Sequence, residues 1–592
     1  MDTGVAFEGR RHLLTVNLED YFQVGTLRSV IRPSHWYRFE NRVVTNTRKA
    51  LDLLEETNVK ATFFTLGWIA DEIPEILREV VERGHEIASK GYYHRSLAEM
   101  SPGEFREEIL SSRESIERAC GRKVYGYRIA RGWFAPHDLW ALDILAEEDY
   151  AYDSSLRPFL RSMPRGDPRR VSHIHRAGTE QIWEFPLSTW SFAGFSVPIA
   201  GGNYMRQFPN FLVKRAACQW DRKINSPFVM YFHVWELDPE QPRVRAAPLF
   251  QRVRQYRNLG KMPHLIRDYL QRYRFTSIAN HLGLLPLTVD AGRSVEAIPV
   301  RLPAIVGSVS ETPMEPEGVV PIPAATPGPK RGVTVVVPCY NEEVALPYLA
   351  NTLRSVVPLL SRDYAIRLVF VDDCSTDRTW KSLEDLFGNH PDCQLVRHDR
   401  NRGVAAAILT GIEYASTEIV CSIDCDCSYD PHELAKMIPL LDPDVDLVTA
   451  SPYHVRGKAL NVPCWRLTLS KSLSALYRLV LKHKLATYTS CFRVYRRSSL
   501  SRVEVREGGF LGVAEMLAKL DLMGYRIVEF PTVLEVRLLG ESKMRILTTI
   551  FGHLRLLGGL FFTRKKFAKL ATENLLGRKV PVGSLDRTSR IS

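Results

Sequence analysis

Short runs of β-branched and aromatic residues alternate along the chain with stretches whose apolar positions recur every three or four residues. In the first half, LLTVNL (13–18) and ATFFTL (61–66) read as buried strands; PEILREVVERG (74–84) and SPGEFREEILSSRESIERACG (101–121) read as helices. In the second half, VTVVVP (333–338), IRLVFVDD (366–373) and EIVCSID (418–424) read as strands with helices between them. Strand–helix alternation predicts parallel sheets and an α/β class for both halves. The pattern stops between about 285 and 331, where eight prolines from Pro299 to Pro329 fall among few aromatics. Such a stretch buries little apolar surface and predicts an extended linker. The expected segments are 10–284, the linker 285–331, 332–545 and a basic tail 546–592.

Composition adds limits. The 592 residues are 45% hydrophobic and 25% charged, as in a soluble globular protein, which argues against wholesale disorder. A net charge of +12 favours anionic partners such as phosphates, nucleotide sugars or an anionic membrane surface. No RNA-binding or zinc-finger pattern accompanies it, so nucleic acid is not expected. The N-terminus MDTGVAFEGRRHLL lacks the apolar core of a signal peptide, and no uninterrupted apolar run has membrane-spanning length. Eight of the ten cysteines lie in the second half without C-x-x-C spacing, which reads as free thiols in a reducing cytosol. The expected location is cytoplasmic, extending to the inner face of the cell membrane.

In the second half, three predicted strands run into polar ends: Cys339-Tyr340-Asn341-Glu342-Glu343, Asp372-Asp373 and Asp424-Cys425-Asp426. Open α/β sheets bind ligands at the C-terminal ends of their strands. Two carboxylates one residue apart can hold Mg²⁺ or Mn²⁺ against a diphosphate. Arg537 and Lys543 on either side of a Gly-containing turn make a phosphate clamp. The runs VVVPCYNEE (335–343), VDDCSTDRT (371–379), NRGVAAAILTGI (401–412), DCDCSYDPHEL (424–434), TASPYHVRG (449–457), TSCFRVYRR (489–497) and RLLGESK (537–543) resemble the family 2 glycosyltransferases of GT-A fold. The likeness is to the dolichyl- and polyprenyl-phosphate sugar synthases. It implies a nucleotide-sugar site at Pro338, Tyr340, Glu342, Asp372, Asp373 and Asp424, with Asp372 and Asp373 on the nucleoside. It implies a metal on Asp424 and Asp426, with Asp426 catalytic, and phosphate contacts from Arg537, Ser542 and Lys543. Glu515 sits where many such enzymes carry a catalytic base, although a phosphate acceptor is already ionised. Cys374 and Cys491 stand where the family usually has Gly. The following run 544–570 is apolar but broken by His553 and Arg555 and followed by basic residues. It reads as an amphipathic helix or pair on a membrane surface, or as a helix packed on its own domain.

In the first half, one strand ends in Glu19-Asp20, SKGYYH brings His94 to a turn, and FVMYFHVWELD brings His233 to a strand end. A carboxylate base, a carboxylate ligand and separated histidines suggest metal-assisted hydrolysis. TVNLEDYFQV (15–24), ATFFTLGW (61–68), GHEIASKGYYHRSL (84–97), GYR (126–128), ALDILAEEDYAYDSS (141–155), EFPLSTW (184–190), GGNY (201–204) and FHVWELDPEQPR (232–243) resemble the polysaccharide deacetylases, in particular a bacterial exopolysaccharide-linked subgroup. The resemblance implies a distorted (β/α) barrel, Glu19 as base, Asp20 and His94 as metal ligands, and His233 as general acid. Lys90 occupies the family's other metal-histidine position, and an ammonium has no lone pair for a metal. Arg128-Ile129-Ala130 replaces the usual Arg-x-Pro.

The whole reads as a transferase that moves a sugar from a nucleotide sugar to a polyprenyl phosphate or glycan, in envelope or exopolysaccharide assembly. The fused deacetylase-like domain is expected to be metal-impaired, with Lys90 paired to Asp20. The alternative is a bifunctional enzyme that also N-deacetylates an N-acetylhexosamine glycan, using Zn²⁺ or another divalent metal.

Overall fold

The computed structural model describes residues 11–156, 172–175, 181–192, 195–199, 201–284, 330–462, 464–540 and 546–578. The Pro-rich segment 285–329, Ser542 and Lys543 lie outside the described residues.

A nine-stranded sheet organises the first half. Its spatial order is Val229–His233, Arg11–Leu18, Thr62–Thr65, Glu86–Ser89, Gly126–Tyr127, Tyr152–Asp153, Gln181–Glu184 and Ser172–His175, with Arg274–Thr276 also paired to Arg11–Leu18. The pairings are parallel except the last, where Ser172–His175 runs antiparallel to Gln181–Glu184. Leu13 and Leu14 are both fully buried although they point to opposite faces, so Arg11–Leu18 is covered on both sides as a parallel α/β strand must be. The result is an open arc of a barrel. Glu19, Asp20 and His233 gather at the C-terminal ends of neighbouring strands, with Asn17 in register with His233.

Seven strands form the second sheet, in the order Cys393–Arg397, Tyr364–Asp372, Arg331–Cys339, Ile419–Ser422, Arg493–Arg496, Leu447–Ser451 and Ile527–Pro531. The first four are parallel, which sets the ends at Cys339, Asp372 and Ser422 side by side. Arg493–Arg496 is antiparallel to both neighbours, a departure from the all-parallel expectation. The chain leaves Leu447–Ser451 at the sheet's C-terminal edge and enters Arg493–Arg496 from that same edge.

Ile546–Arg578 is one helix of 33 residues. His553, Leu557 and Leu560 are buried, facing the helices Cys464–Val480 and Phe510–Leu522. His553 Nδ1 lies 2.7 Å from the Tyr477 hydroxyl. The helix therefore packs one face on its own half and leaves Phe551 and Phe562 72% and 83% exposed on the other. Among the described residues, no helix is long and apolar enough to cross a membrane.

Candidate functional site

The two aspartates that end Tyr364–Asp372 and begin the next loop are both buried. Asp373 Oδ1 accepts from the Arg402 N–H at 2.7 Å and meets His398 Nδ1 at 2.7 Å; Oδ2 accepts from the Gly403 N–H at 2.7 Å. These bonds tie the NRG turn to the sheet at the N-terminus of the helix Val404–Tyr414, where unpaired N–H groups favour a carboxylate. Asp372 accepts from the Ser375 N–H at 3.2 Å and lies 3.1 Å from Arg397 Nε. Both side chains thus shape the loops around the strand ends. Cys374, which follows them, has φ of +58°, the left-handed region where glycine is least strained. That is the backbone reason a glycine suits this position.

Asp424 and Asp426 stand at the end of the adjacent strand and are only partly covered. Asp426 Oδ1 accepts from the Ser428 N–H at 2.9 Å, and Oδ2 is 3.5 Å from Arg537 Nη1. The same guanidinium hydrogen-bonds Glu342 through Nη2 and donates from Nε to the Leu539 carbonyl at 2.8 Å. Pro338, Tyr340 and Glu342 are half-buried where Arg331–Cys339 ends and the next turn begins. Burial, and then the charge of Asp426, push the Asp424 carboxyl up to about 7. A divalent cation would relieve that crowding of like charge, so the donor set fits Mg²⁺ or Mn²⁺. Among the described residues no group of three or more His, Cys, Asp or Glu side chains is arranged to hold a metal ion by itself. The pair would therefore need oxygens from a diphosphate to complete the shell, which is how Mg²⁺ is commonly held beside phosphates.

Glu515 is buried, and its carboxylate is taken up locally. Oε2 accepts from the Arg506 and Glu507 N–H groups at 3.0 and 2.9 Å, and Oε1 lies 2.6 Å from Lys519 Nζ. It clasps the 504–507 loop and is not presented as a free base.

In the first half, Glu19 is the centre of the cluster. Its Oε2 is 2.5 Å from Lys90 Nζ and 3.4 Å from His94 Nε2; its Oε1 is 2.6 Å from His233 Nδ1. Burial alone would raise the Glu19 carboxyl, but Lys90, His233 and His94 outweigh it and hold it well below the usual range. Asp20 turns away from this cluster. Oδ1 accepts from the Tyr21 N–H at 2.8 Å, and Oδ2 accepts from the Arg42 and Val43 N–H groups at 2.6 and 2.9 Å, at the start of the helix Val43–Glu56. The Lys90 partner is therefore Glu19 and not Asp20, contrary to the sequence reading. Successive residues at a strand end point to opposite sides, so only one of the two carboxylates can face Lys90. With an ammonium against Glu19 and Asp20 spent on backbone donors, these side chains as placed do not fit a divalent metal. Arg128 donates to Thr15 Oγ1 at 2.9 Å and Ser154 Oγ at 2.8 Å, and its guanidinium stacks 4.1 Å from the Phe64 ring centroid.

Sequence reasoning quoted the NRG run but missed its grip on Asp373. It also missed Arg38, whose Nη2 lies 2.8 Å from Asp430 Oδ2 across 392 residues of chain. No local signal marks such a pair.

Comparison with known proteins places family models on both halves. Residues 334–504 match glycosyl transferase family 2, residues 30–143 match polysaccharide deacetylase, and residues 154–283 match a domain of unknown function, DUF3473. The dolichol-phosphate mannosyltransferase of Pyrococcus furiosus is 29% identical over 225 residues, 38% of this chain and 62% of that protein. The polyprenol monophosphomannose synthase of Mycolicibacterium smegmatis is 29% identical over 227 residues, 37% of this chain and 83% of that one. A solved family 4 carbohydrate esterase from Bacillus anthracis is 18% identical with a TM-score of 0.25, covering 46% of this chain and 81% of that one. The chain thus spans less than two thirds of the first relative's length.

Proposed function

We propose that this chain, a polysaccharide deacetylase-type domain followed by a family 2 glycosyl transferase domain, transfers a sugar from a nucleotide-sugar donor to a polyprenyl phosphate or glycan. The observation that carries this reading is the Asp424–Asp426 pair with Arg537 3.5 Å from Asp426, at the C-terminal edge of a largely parallel sheet. A divalent metal held by Asp424 and Asp426 would neutralise charge developing on the leaving diphosphate. Arg537 already holds a guanidinium where phosphate oxygens would arrive, and can exchange its bond to Glu342 for one to the donor. An ionised phosphate acceptor needs no protein base, in keeping with the engagement of Glu515 by Arg506, Glu507 and Lys519. The polyprenol-type names of the two relatives support a lipid-phosphate acceptor. The full chain with Mn²⁺, labelled GDP- or UDP-sugars and a polyprenyl phosphate should yield labelled lipid. Absence of label from lipid and glycan acceptors with every donor would remove the assignment.

A lipid acceptor calls for placement at a membrane surface, in keeping with the outer face of Ile546–Arg578. Phe551, Phe562 and Lys565 are exposed there, with Arg555, which bonds Glu507, between them, apolar rings beside cations, as in interfacial helices. Phe551→Ser with Phe562→Ser should weaken sedimentation with phosphatidylglycerol vesicles by about tenfold or more, from the lost burial of two rings. Undiminished sedimentation would assign this face to protein packing.

The first half, on the same reading, binds carbohydrate without hydrolysing it. Support comes from the Lys90 ammonium lying 2.5 Å from Glu19.

A further inference from the structure

The seam between the two halves falls on the two segments that frame the carboxylate pair. Arg38 ends the 3-10 turn Pro33–Arg38, and its side chain is 5% exposed. Its Nη2 donates to Asp430 Oδ2 at 2.8 Å. Asp430 closes the loop that opens with Asp424. Its Oδ1 accepts from the His432 N–H at 3.1 Å and meets His432 Nδ1 at 2.7 Å, which fixes the turn Pro431–Glu433. Beside this pair, Asn351 Nδ2, on the helix Leu346–Leu360, donates to the carbonyls of Arg38 and Phe39 at 3.2 and 3.0 Å. Phe39 packs edge-on against Tyr348 at 5.0 Å.

The opposite wall is held from the same side. Glu535, two residues before Arg537, lies 3.4 Å from Arg32 Nη2 and 3.8 Å from His35 Nδ1. Its own N–H donates to the Ser428 carbonyl at 2.9 Å, joining the Arg537 segment to the Asp424 loop. The Arg245 N–H donates to the Leu538 carbonyl at 3.1 Å. Residues of the first half therefore touch both the loop that carries Asp424 and Asp426 and the segment that carries Arg537. The far end of the 32–43 stretch is anchored as firmly: the Arg42 and Val43 N–H groups sit on Asp20, and Arg42 Nε lies 2.5 Å from Asp238 Oδ2.

We infer that the first half is a built-in brace for the transferase site, with Arg38 as a positioning residue that sets the 424–430 loop through Asp430. The inference rests on the transferase reading and adds to it a reason for the fusion. Arg38 bonds Asp430 and is not among the residues proposed to hold donor or metal, so its effect on the site runs through Asp430. A buried guanidinium facing one carboxylate fixes that carboxylate's place: losing Asp430 leaves the Arg38 charge uncompensated, and losing Arg38 leaves Asp430, 37% exposed, held by His432 alone.

The test uses the full chain. Mn²⁺ is titrated by electron paramagnetic resonance with saturating GDP and again with saturating UDP, and KM for the donor and kcat are read separately. Arg38→Ala should weaken Mn²⁺ binding by about tenfold, within the range for outer-shell partners of metal ligands, and raise KM more than it lowers kcat. Arg38→Lys, which keeps the cation, should recover most of the affinity. Asn461→Gly removes another contact between the halves, the 3.3 Å bond to the Ser29 carbonyl, at a residue whose φ of +58° suits glycine. It should leave Mn²⁺ binding unchanged. If Arg38→Ala does not fold, Asp430→Asn weakens the same pair isosterically and is read in the same titration. Folded Arg38→Ala or Asp430→Asn protein that binds Mn²⁺ as the wild type does would overturn the brace. Equal weakening by Asn461→Gly would do so too, since the effect would then be general loosening of the seam. A wild type that binds no Mn²⁺ with either nucleotide would remove the transferase reading and the brace together.

Discussion

Asp424→Asn is expected to lower sugar transfer by a factor on the order of 10³ while leaving the melting temperature unchanged or slightly higher. The two effects have opposite signs for one reason. Burial and the neighbouring Asp426 push the Asp424 carboxyl up to about 7, so its ionised form is disfavoured in the protein without metal. An amide of the same shape removes that cost and can keep the side-chain contact with Cys491, and among the described residues no backbone N–H is held by the Asp424 side chain in the way that Asp426 holds that of Ser428. What it removes is half of the anionic pair that would hold a cation against the leaving diphosphate. kcat at saturating donor and Mn²⁺, measured beside a thermal melt, separates the two consequences. Transfer at the wild-type rate would show that the carboxylate pair is not the metal site. A parallel fall in rate and melting temperature would assign Asp424 to the loop's architecture instead.

The strands were legible because their signal is local. Val333, Val335 and Val337 alternate with residues that are themselves buried, and the polar residues begin where the runs stop. The meeting of the three polar strand ends followed from that, since parallel neighbours place their ends together. The roles of individual carboxylates were less legible, because each depends on partners that sequence does not bring near. Asp373 is held by Arg402 and Gly403, some thirty residues on, and Glu515 by two backbone N–H groups of a loop with no motif. Asp20 was expected as a ligand beside Glu19, and its bonds to the backbone N–H groups of Arg42 and Val43, more than twenty residues on, had no local signal. The seam was invisible for a further reason. A Pro-rich stretch between two halves predicts separation, and nothing local in Arg38 or Asp430 says that they meet.

Lys90→Met is expected to destabilise the protein by about 3 kcal/mol, the lower end of what breaking a buried ion pair costs. Lys90 and Glu19 side chains are 3% and 1% exposed, so water cannot replace the lost ammonium. His233 and His94 remain near the carboxylate, at 2.6 and 3.4 Å, and this is why the lower end applies. The penalty comes from the stranded charge and not from the lost methylenes, since methionine keeps the volume. Lys90→Met combined with Glu19→Gln should therefore recover most of the stability, an amide being cheaper to bury than an unpaired carboxylate. Denaturant unfolding of the three proteins gives the comparison directly. Equal loss in the single and double variants would mean that Lys90 acts through packing alone. The same pair carries the proposed reading of the first half, in which the ammonium keeps Glu19 from acting as a base beside a metal. On that reading the full chain with Zn²⁺, Co²⁺ or Mn²⁺ should release no acetate from N-acetylglucosamine oligomers. Acetate release above background by the wild type would mean that the Lys90–Glu19 contact opens when substrate binds, and the chain would then be a working deacetylase as well as a transferase.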